Sequence, residues 1–202
     1  MIIIGSDCLQ RVDGAALHKL ARRIAARFIS GGIRTFNVLH RVASQVAALD
    51  LGYKPGVDQI QSKKPAILFL LGADQGAISR ADLPDGCFVV YIGHNGDVGA
   101  SMADIVLPGA AYTEKAGIYA NTEGRAQQTQ PAIMPPGASR EDWRILRAIS
   151  EVAAQGGRML PYETREQLHN RIRTIAPGLL VLNKPVAPAI ETLALADKQA
   201  IS

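Results

Sequence analysis

The stretch ADIVLPGAAYTEKAGIYANTEGRAQQ, residues 103–128, decides how the rest of the chain is read. A short apolar strand over 105–107 runs into Pro108 and Gly109. Proline cannot donate to a ladder and glycine can take positive φ, so the strand stops there. Two hairpin arms are expected next, at 117–120 and 125–129, around the turn residues Asn121, Thr122, Glu123 and Gly124. Glu114, Lys115, Glu123 and Arg125 lie close together in sequence, as the charged groups of an enzyme site do. Ion pairs holding an irregular loop produce the same clustering at turns, and the spacing favours that reading: the four are expected to pair with one another.

Working back toward the amino terminus, residues 87–92 and 66–71 are continuous apolar runs bounded by Gly or Pro. Apolar on both faces, such runs suit inner strands of a parallel sheet. The segment between them, 78–83, has room for a single turn. After residue 92 comes Gly93-His94-Asn95-Gly96-Asp97-Val98-Gly99, a glycine-rich loop at a strand's carboxyl end, where open α/β sheets bind ligands. Its spacing is not the dinucleotide fingerprint, and the next element expected is a strand, with no helix dipole to aim at a phosphate. His94 and Asp97 therefore read as loop residues, since no nucleophile with an orienting group stands beside them.

Further back, 57–61 suits a short helical turn after Pro55-Gly56. A helix is expected over 36–51, with Val38, Leu39, Val42, Val46 and Leu49 on one face and Gly52 at its end. His40 and Gln45 fall off that face and carry no assigned chemistry. Another helix is expected over 13–28, burying Leu17, Leu20, Ala21, Ile24 and Phe28 and turning His18, Lys19, Arg22, Arg23 and Arg27 to water, with Gly31-Gly32 as its stop. This arginine-rich segment has the look of a transit peptide, but it follows a strand over 1–4, which suits a first βα unit.

Toward the carboxyl terminus, Ser139 with Asp142 three residues later is a capping-box pattern opening a helix. Leu146, Ile149, Val152 and Ala153 form its buried face and Arg140, Arg144, Arg147 and Glu151 its solvent face; Trp143 is placed where the helix meets a neighbour. A thinner amphipathic helix covers 162–175 and ends at Pro177-Gly178. Residues 178–202 read as an extended arm.

The 202 residues are 48% hydrophobic, 20% charged and 5% aromatic, a globular composition, with a net charge of +4. The basic residues are spread over several helices, without the focused, aromatic-interleaved stripe of nucleic-acid binders. No apolar run approaches the ~20 residues of a membrane helix. Cys8 and Cys87 are too few for an iron–sulfur cluster or a structural zinc site; their count allows a disulfide, but each borders an apolar run, where a buried thiol is commoner.

Residues 36–56, 68–74, 93–100, 103–128 and 140–143 together resemble the large iron–sulfur subunit of respiratory complex I, NADH:ubiquinone oxidoreductase, most closely its mitochondrial and related bacterial branch. The likeness runs from near the start to about residue 175. It is to the carboxyl-terminal portion of that subunit, which is similar to molybdopterin-dependent oxidoreductases.

The resemblance implies a fold, a role and a setting. The fold expected is α/β: one mainly parallel, Rossmann-like sheet built from 1–4, 66–71, 87–92 and 105–107, flanked by helices, with a hairpin-rich excursion. Residues 1–177 would form a partial molybdopterin-oxidoreductase-like domain and 178–202 the arm. The role would be structural, in the complex I peripheral arm, with no catalytic, cofactor-binding or metal-binding residue carried over. The iron–sulfur clusters would sit on a partner chain bearing the amino-terminal half of a split subunit. The expected location is the matrix side of the mitochondrial inner membrane, or the cytoplasmic side of a bacterial one, without a membrane span or nucleic acid. The rival readings are a stand-alone nucleotide-binding module at the 93–99 loop and a fragment that retains a pterin cofactor.

Overall fold

The computed structural model describes residues 1–29, 31, 35–53, 57–73 and 76–186. The Pro55-Gly56 connection, Gly32 of the first helix stop and residues 187–202 of the expected arm lie outside the described residues. Contacts divide the chain into two compact units, one of Met1–Tyr53, Ile118–Gln127 and Ile172–Ser202, the other of Lys54–Gly117 and Gln128–Arg171.

In the second unit, β3 (Ile67–Leu71), β4 (Phe88–Gly93) and β5 (Ile105–Pro108) form a parallel sheet in that order. Register sets Leu70 beside Tyr91 and Val90 beside Ile105. Among the described residues only β4 has a strand on either side, and its Val89, Val90, Tyr91 and Ile92 are buried. Each contributes roughly 1.5–3 kcal/mol as its side chain leaves water. Val89 and Tyr91 pack with Leu70, Ile78, Leu83 and Cys87 into this unit's core. The run at 66–71 was expected to be an inner strand as well. Among the described residues β3 is an edge instead, and Ile67, Phe69 and Leu71 are exposed. The helices are α3 (Val57–Lys63), the four-residue α4 (Val98–Ser101), α5 (Asp142–Ala154) and α6 (Arg165–Ile175), which continues into the other unit.

In the first unit, β1 (Ile2–Gly5) pairs in parallel with β2 (Phe36–Leu39), Ile2 beside Phe36 and Ile4 beside Val38. The expected helix over 36–51 is thus corrected to a strand followed by a short helix, α2 (Gln45–Asp50). Ser44 explains the break. It sits at φ 62°, left-handed backbone that a continuous right-handed helix cannot contain. The apolar spacing was shared by both solutions, and pairing with β1 settled it. The helix α1 (Gly14–Ala26) forms where expected, but its buried residues are small ones, Gly14, Ala16 and Ala25, while Leu20, Ile24 and Phe28 are exposed. Gly14 is required by close approach: a Cβ there would lie 2.3 Å from the Leu9 carbonyl oxygen. His18, expected in water, packs edge-on against Phe36 with ring centroids 5.2 Å apart.

The hairpin β6 (Ile118–Ala120) and β7 (Ala126–Gln128) forms as expected. Asn121 Oδ1 accepts the Glu123 and Arg125 amides, and Gly124 takes φ +78°. Ala120 is buried with Ala47, Ala176 and Leu179. The start of the expected arm is therefore partly built in: Pro177–Leu180 makes a helical turn, and the Asn183 amide donates to the Ala126 carbonyl.

The described residues thus form a mixed α/β structure with three small sheets, instead of one sheet joining 1–4 to the later strands. Four smaller expectations also change. Cys8 is exposed, although Cys87 is buried. Val152 is exposed. The guanidinium of Arg147, placed on the solvent face, is drawn inward to pair with Glu151 and Glu163. Finally, a helical turn, α4, follows the 93–99 loop before the next strand.

Candidate functional site

The carboxyl ends of β4 and β5 are where a parallel sheet offers a ligand site. Here the glycines face protein atoms. A Cβ on Gly93 would lie 2.4 Å from the Tyr91 hydroxyl oxygen, and one on Gly99 would lie 2.5 Å from the Ala73 carbonyl oxygen and 2.8 Å from the Tyr91 ring. Tyr91 and Gly93 alternate onto one face of β4, so the tyrosine ring lies over the strand's own last residue and reaches α4. The space that glycines leave for a phosphate in a nucleotide site is occupied here by the Tyr91 side chain. His94 is exposed, and Asp97 is half-buried with Oδ1 lacking a hydrogen-bond partner among the described residues.

The next loop is tied down in the same way. The Gly109 amide donates to the Gly93 carbonyl, and the Ala110 amide to that of Arg140. Glu114 accepts the Ala111 amide at 2.9 Å, and Lys115 donates to Asp142 at 2.5 Å. Asp142 stands in the first turn of α5, where a carboxylate suits the helix dipole. In the hairpin, Arg125 lies 3.4 Å from Glu123 and donates to the Asn183 carbonyl at 2.6 Å. Of the four clustered charges, Glu123 and Arg125 pair as expected, while Glu114 and Lys115 take partners outside the cluster. Each makes a structural contact.

Ser139 does not cap α5. Its hydroxyl is buried without a partner among the described residues, and Glu141 holds the cap position. Glu141 also gathers Arg165, Arg144 and the Trp143 indole N–H. Burial opposes its charge, but these donors outweigh burial and hold the carboxyl below its usual range. Trp143 is half-buried, with the Arg144 guanidinium over its ring at 4.9 Å.

Sequence reading missed two polar devices. Asp104, at the opposite end of β4 and β5, accepts the Val89 amide at 2.7 Å and Arg80 through both oxygens at 2.7 and 2.9 Å. The backbone bond first and Arg80 second lower its carboxyl below the usual range. Reciprocal bonds between Ser79 and Asp82, and between Thr164 and Gln167, form capping boxes. Both are visible in the sequence as S/T-x-x-D/Q.

The first unit holds a cavity of about 650 Å³, walled by Leu9, Ile29, Phe36, Val38, Val46 and Leu49. His18, His40 and Asp50 border it, and Thr122, Glu123 and Gly124 of the hairpin turn form part of its lining. Burial, with the nearby Arg22 charge, pushes the His18 imidazole below its ordinary value, and burial raises the Asp50 carboxyl. His40 Nδ1 is buried with no partner among the described residues. Neither cavity nor strand ends gathers three or more metal-ligating side chains among the described residues.

The molybdopterin oxidoreductase family model matches residues 1–152. The chain is 48% identical over 183 residues to the mitochondrial NADH-ubiquinone oxidoreductase 78 kDa subunit of Candida albicans, covering 89% of this chain and 24% of that protein. It is 44% identical over 197 residues to the subunit of the same name from Neurospora crassa, covering 96% and 26%. With the mitochondrial NADH dehydrogenase [ubiquinone] iron-sulfur protein 1 of Solanum tuberosum it shares 44% over 187 residues, covering 91% and 24%. The resemblance read from the sequence is borne out. The chain spans about a quarter of the length of the curated relatives it matches.

Proposed function

This chain belongs to the molybdopterin oxidoreductase family, and from that premise we propose that it serves as a structural part of the large iron–sulfur subunit of NADH:ubiquinone oxidoreductase. The observation that carries the reading is the 43–48% identity to subunits of that enzyme over 89–96% of this chain. Electrons would pass from NADH to quinone through clusters held on a portion of the subunit outside the quarter of the relatives' length that this chain spans. That portion is the first partner to seek, followed by other peripheral-arm subunits. The setting proposed is the matrix side of the mitochondrial inner membrane. No helix among the described residues is long and apolar enough to cross a membrane.

The family name implies a pterin cofactor, and the strand ends do not fit one. Tyr91 fills the space beside Gly93 and Gly99, and Asp142 lies 2.8 Å from where a Cβ on Gly109 would stand. No reaction step is therefore assigned to such a group. The charged residues of 103–128 support packing: they seat α5 and pin the hairpin turn.

The test is affinity capture of the tagged chain from solubilised respiratory membranes, with protein mass spectrometry and metal analysis. The expected result is recovery with a cluster-bearing iron–sulfur polypeptide, iron in the complex, and no molybdenum or tungsten. Recovery of that polypeptide as a separate chain supports the split-subunit arrangement. Recovery of the chain alone contradicts the assignment, and molybdenum or tungsten in the complex favours a cofactor-retaining fragment.

A further inference from the structure

We propose that the exposed face of α1 is a docking surface for an acidic amphipathic helix of a protein partner. The charge pattern comes first. Between Asp13 and Asp50 the chain has no acidic residue, while Lys19, Arg22, Arg23, Arg27, Arg34 and Arg41 are basic. A block of one sign is ordinarily a solvated face. This one is not polar throughout. Lys19, Arg23 and Arg27 make one row along the helix, and Leu20, Ile24 and Phe28 make the row beside it at the same four-residue spacing.

Both rows face outward, because the opposite side of α1 is held. Gly14 abuts Leu9, His18 packs edge-on against Phe36, and the Thr35 hydroxyl donates to the Ala25 carbonyl at 2.9 Å. Leu20 and Ile24 are each 42% exposed, and Phe28, just past the helix end, is 66% exposed. Arg23 and Arg27 are exposed and pair with no carboxylate among the described residues. The acids that precede the block are engaged already, Asp7 with Arg41 and Asp13 with Arg11.

That combination selects the occupant. An apolar row with arginines along one flank matches a helix that carries its own apolar row with Asp or Glu beside it. Its apolar side chains cover Leu20, Ile24 and Phe28, and its carboxylates meet Arg23 and Arg27 at the rim. A membrane surface favours a helix whose whole apolar face sinks into the interface; one side of α1 is already packed, and a narrow row remains. Nucleic acid would leave that apolar row uncovered.

The proposal rests on the reading of this chain as part of a larger assembly, and two tests separate them. In the first, p-benzoylphenylalanine replaces Ile24 in the tagged chain captured from solubilised respiratory membranes, followed by irradiation, proteolysis and mass spectrometry. Crosslinks are expected to a segment outside this chain with Asp or Glu beside apolar residues one turn apart. Crosslinks to lipid, to this chain's own peptides or to a segment without acid overturn the docking surface while the assembly stands. Recovery of no assembly with the unsubstituted chain contradicts the assembly itself, and the second test then decides.

That test follows, by fluorescence anisotropy, a labelled synthetic helix with leucine along one face and glutamate beside it, added to the full chain. Binding should weaken with rising salt, and by about tenfold in Arg23→Glu with Arg27→Glu. A synthetic helix with lysine in place of glutamate should prefer the charge-reversed chain. Arg23→Gln with Arg27→Gln serves if reversal unfolds the protein, as judged by circular dichroism. Unchanged affinity in these variants, or equal binding of the two synthetic helices, overturns the proposal.

Discussion

The two units use the same parallel-strand grammar and end it differently. In the second, the space at the strand ends is closed: Tyr91 lies over Gly93 and reaches Gly99, and the next loop is fastened by Gly109 and Lys115. In the first, two strands and a helix that packs through glycine and alanine leave a cavity of about 650 Å³ with half-buried histidines beside it. Glycines at strand ends are commonly read as an invitation to a ligand. Here the glycine-rich ends are filled, and the open space lies where the sequence has no such signature.

That contrast can be broken by substitution, beginning with the largest effect. Tyr91→Ala removes the largest fully buried side chain and is expected to cost about 3–5 kcal/mol in urea unfolding. A cost below about 1 kcal/mol would mean that the ring does not fill the strand ends. Gly93→Ala forces a methyl group against the Tyr91 hydroxyl and should cost about 1–3 kcal/mol by overpacking. The double variant Gly93→Ala with Tyr91→Ala should be less destabilised than the two single costs added together; strict additivity would deny the contact.

Phe36→Ala sharpens the other side of the comparison. Its half-exposed ring should be worth about 1–2 kcal/mol in urea unfolding, well below Tyr91; a cost as large as that of Tyr91→Ala would erase the contrast. The smallest effect is a pH dependence. A carboxyl held below its usual value in the folded state adds stability above the unfolded value of about 3.9, which is lost as pH falls through the folded one. Asp104 is such a group, held by the Val89 amide and Arg80. Asp104→Asn should lower stability at neutral pH and flatten the acid limb of the curve, as followed by circular dichroism. An unchanged acid limb would remove Asp104 from the account.

Much of the second unit was legible because its signals are local and strong. The apolar runs at 66–71 and 87–92, the Pro108-Gly109 stop and the Asn121–Gly124 turn each specify their own conformation. What sequence could not give was strand order. The runs at 66–71 and 87–92 read alike, yet β4 is central and β3 is an edge, and only pairing decides which is buried. Residues 36–39 failed for a related reason: Val38 and Leu39 fit a helical stripe with Val42 and Val46, and neither the β1 partner nor the left-handed Ser44 shows in periodicity. On α1 the large apolar residues looked like the core face, but close approach at Gly14 favours the small one.

At the candidate site, the clustering of Glu114, Lys115, Glu123 and Arg125 was visible, and so was the pairing of Glu123 with Arg125. Their partners were not all visible, because Asp142 and Asn183 are distant in sequence. The same distance hid the Arg80–Asp104 clamp. The cavity was hidden most completely, since segments from three parts of the sequence build it and none carries a motif.

We propose that this chain supports an electron-transferring assembly through packing. The most direct measurement is native electrophoresis of respiratory membranes from cells carrying Trp143→Ala or Tyr91→Ala, scoring both the amount of NADH-oxidising complex and its activity per assembled complex. The account predicts less complex, more so for Tyr91→Ala, with activity per complex close to wild type. A full complement of inactive complex would contradict it.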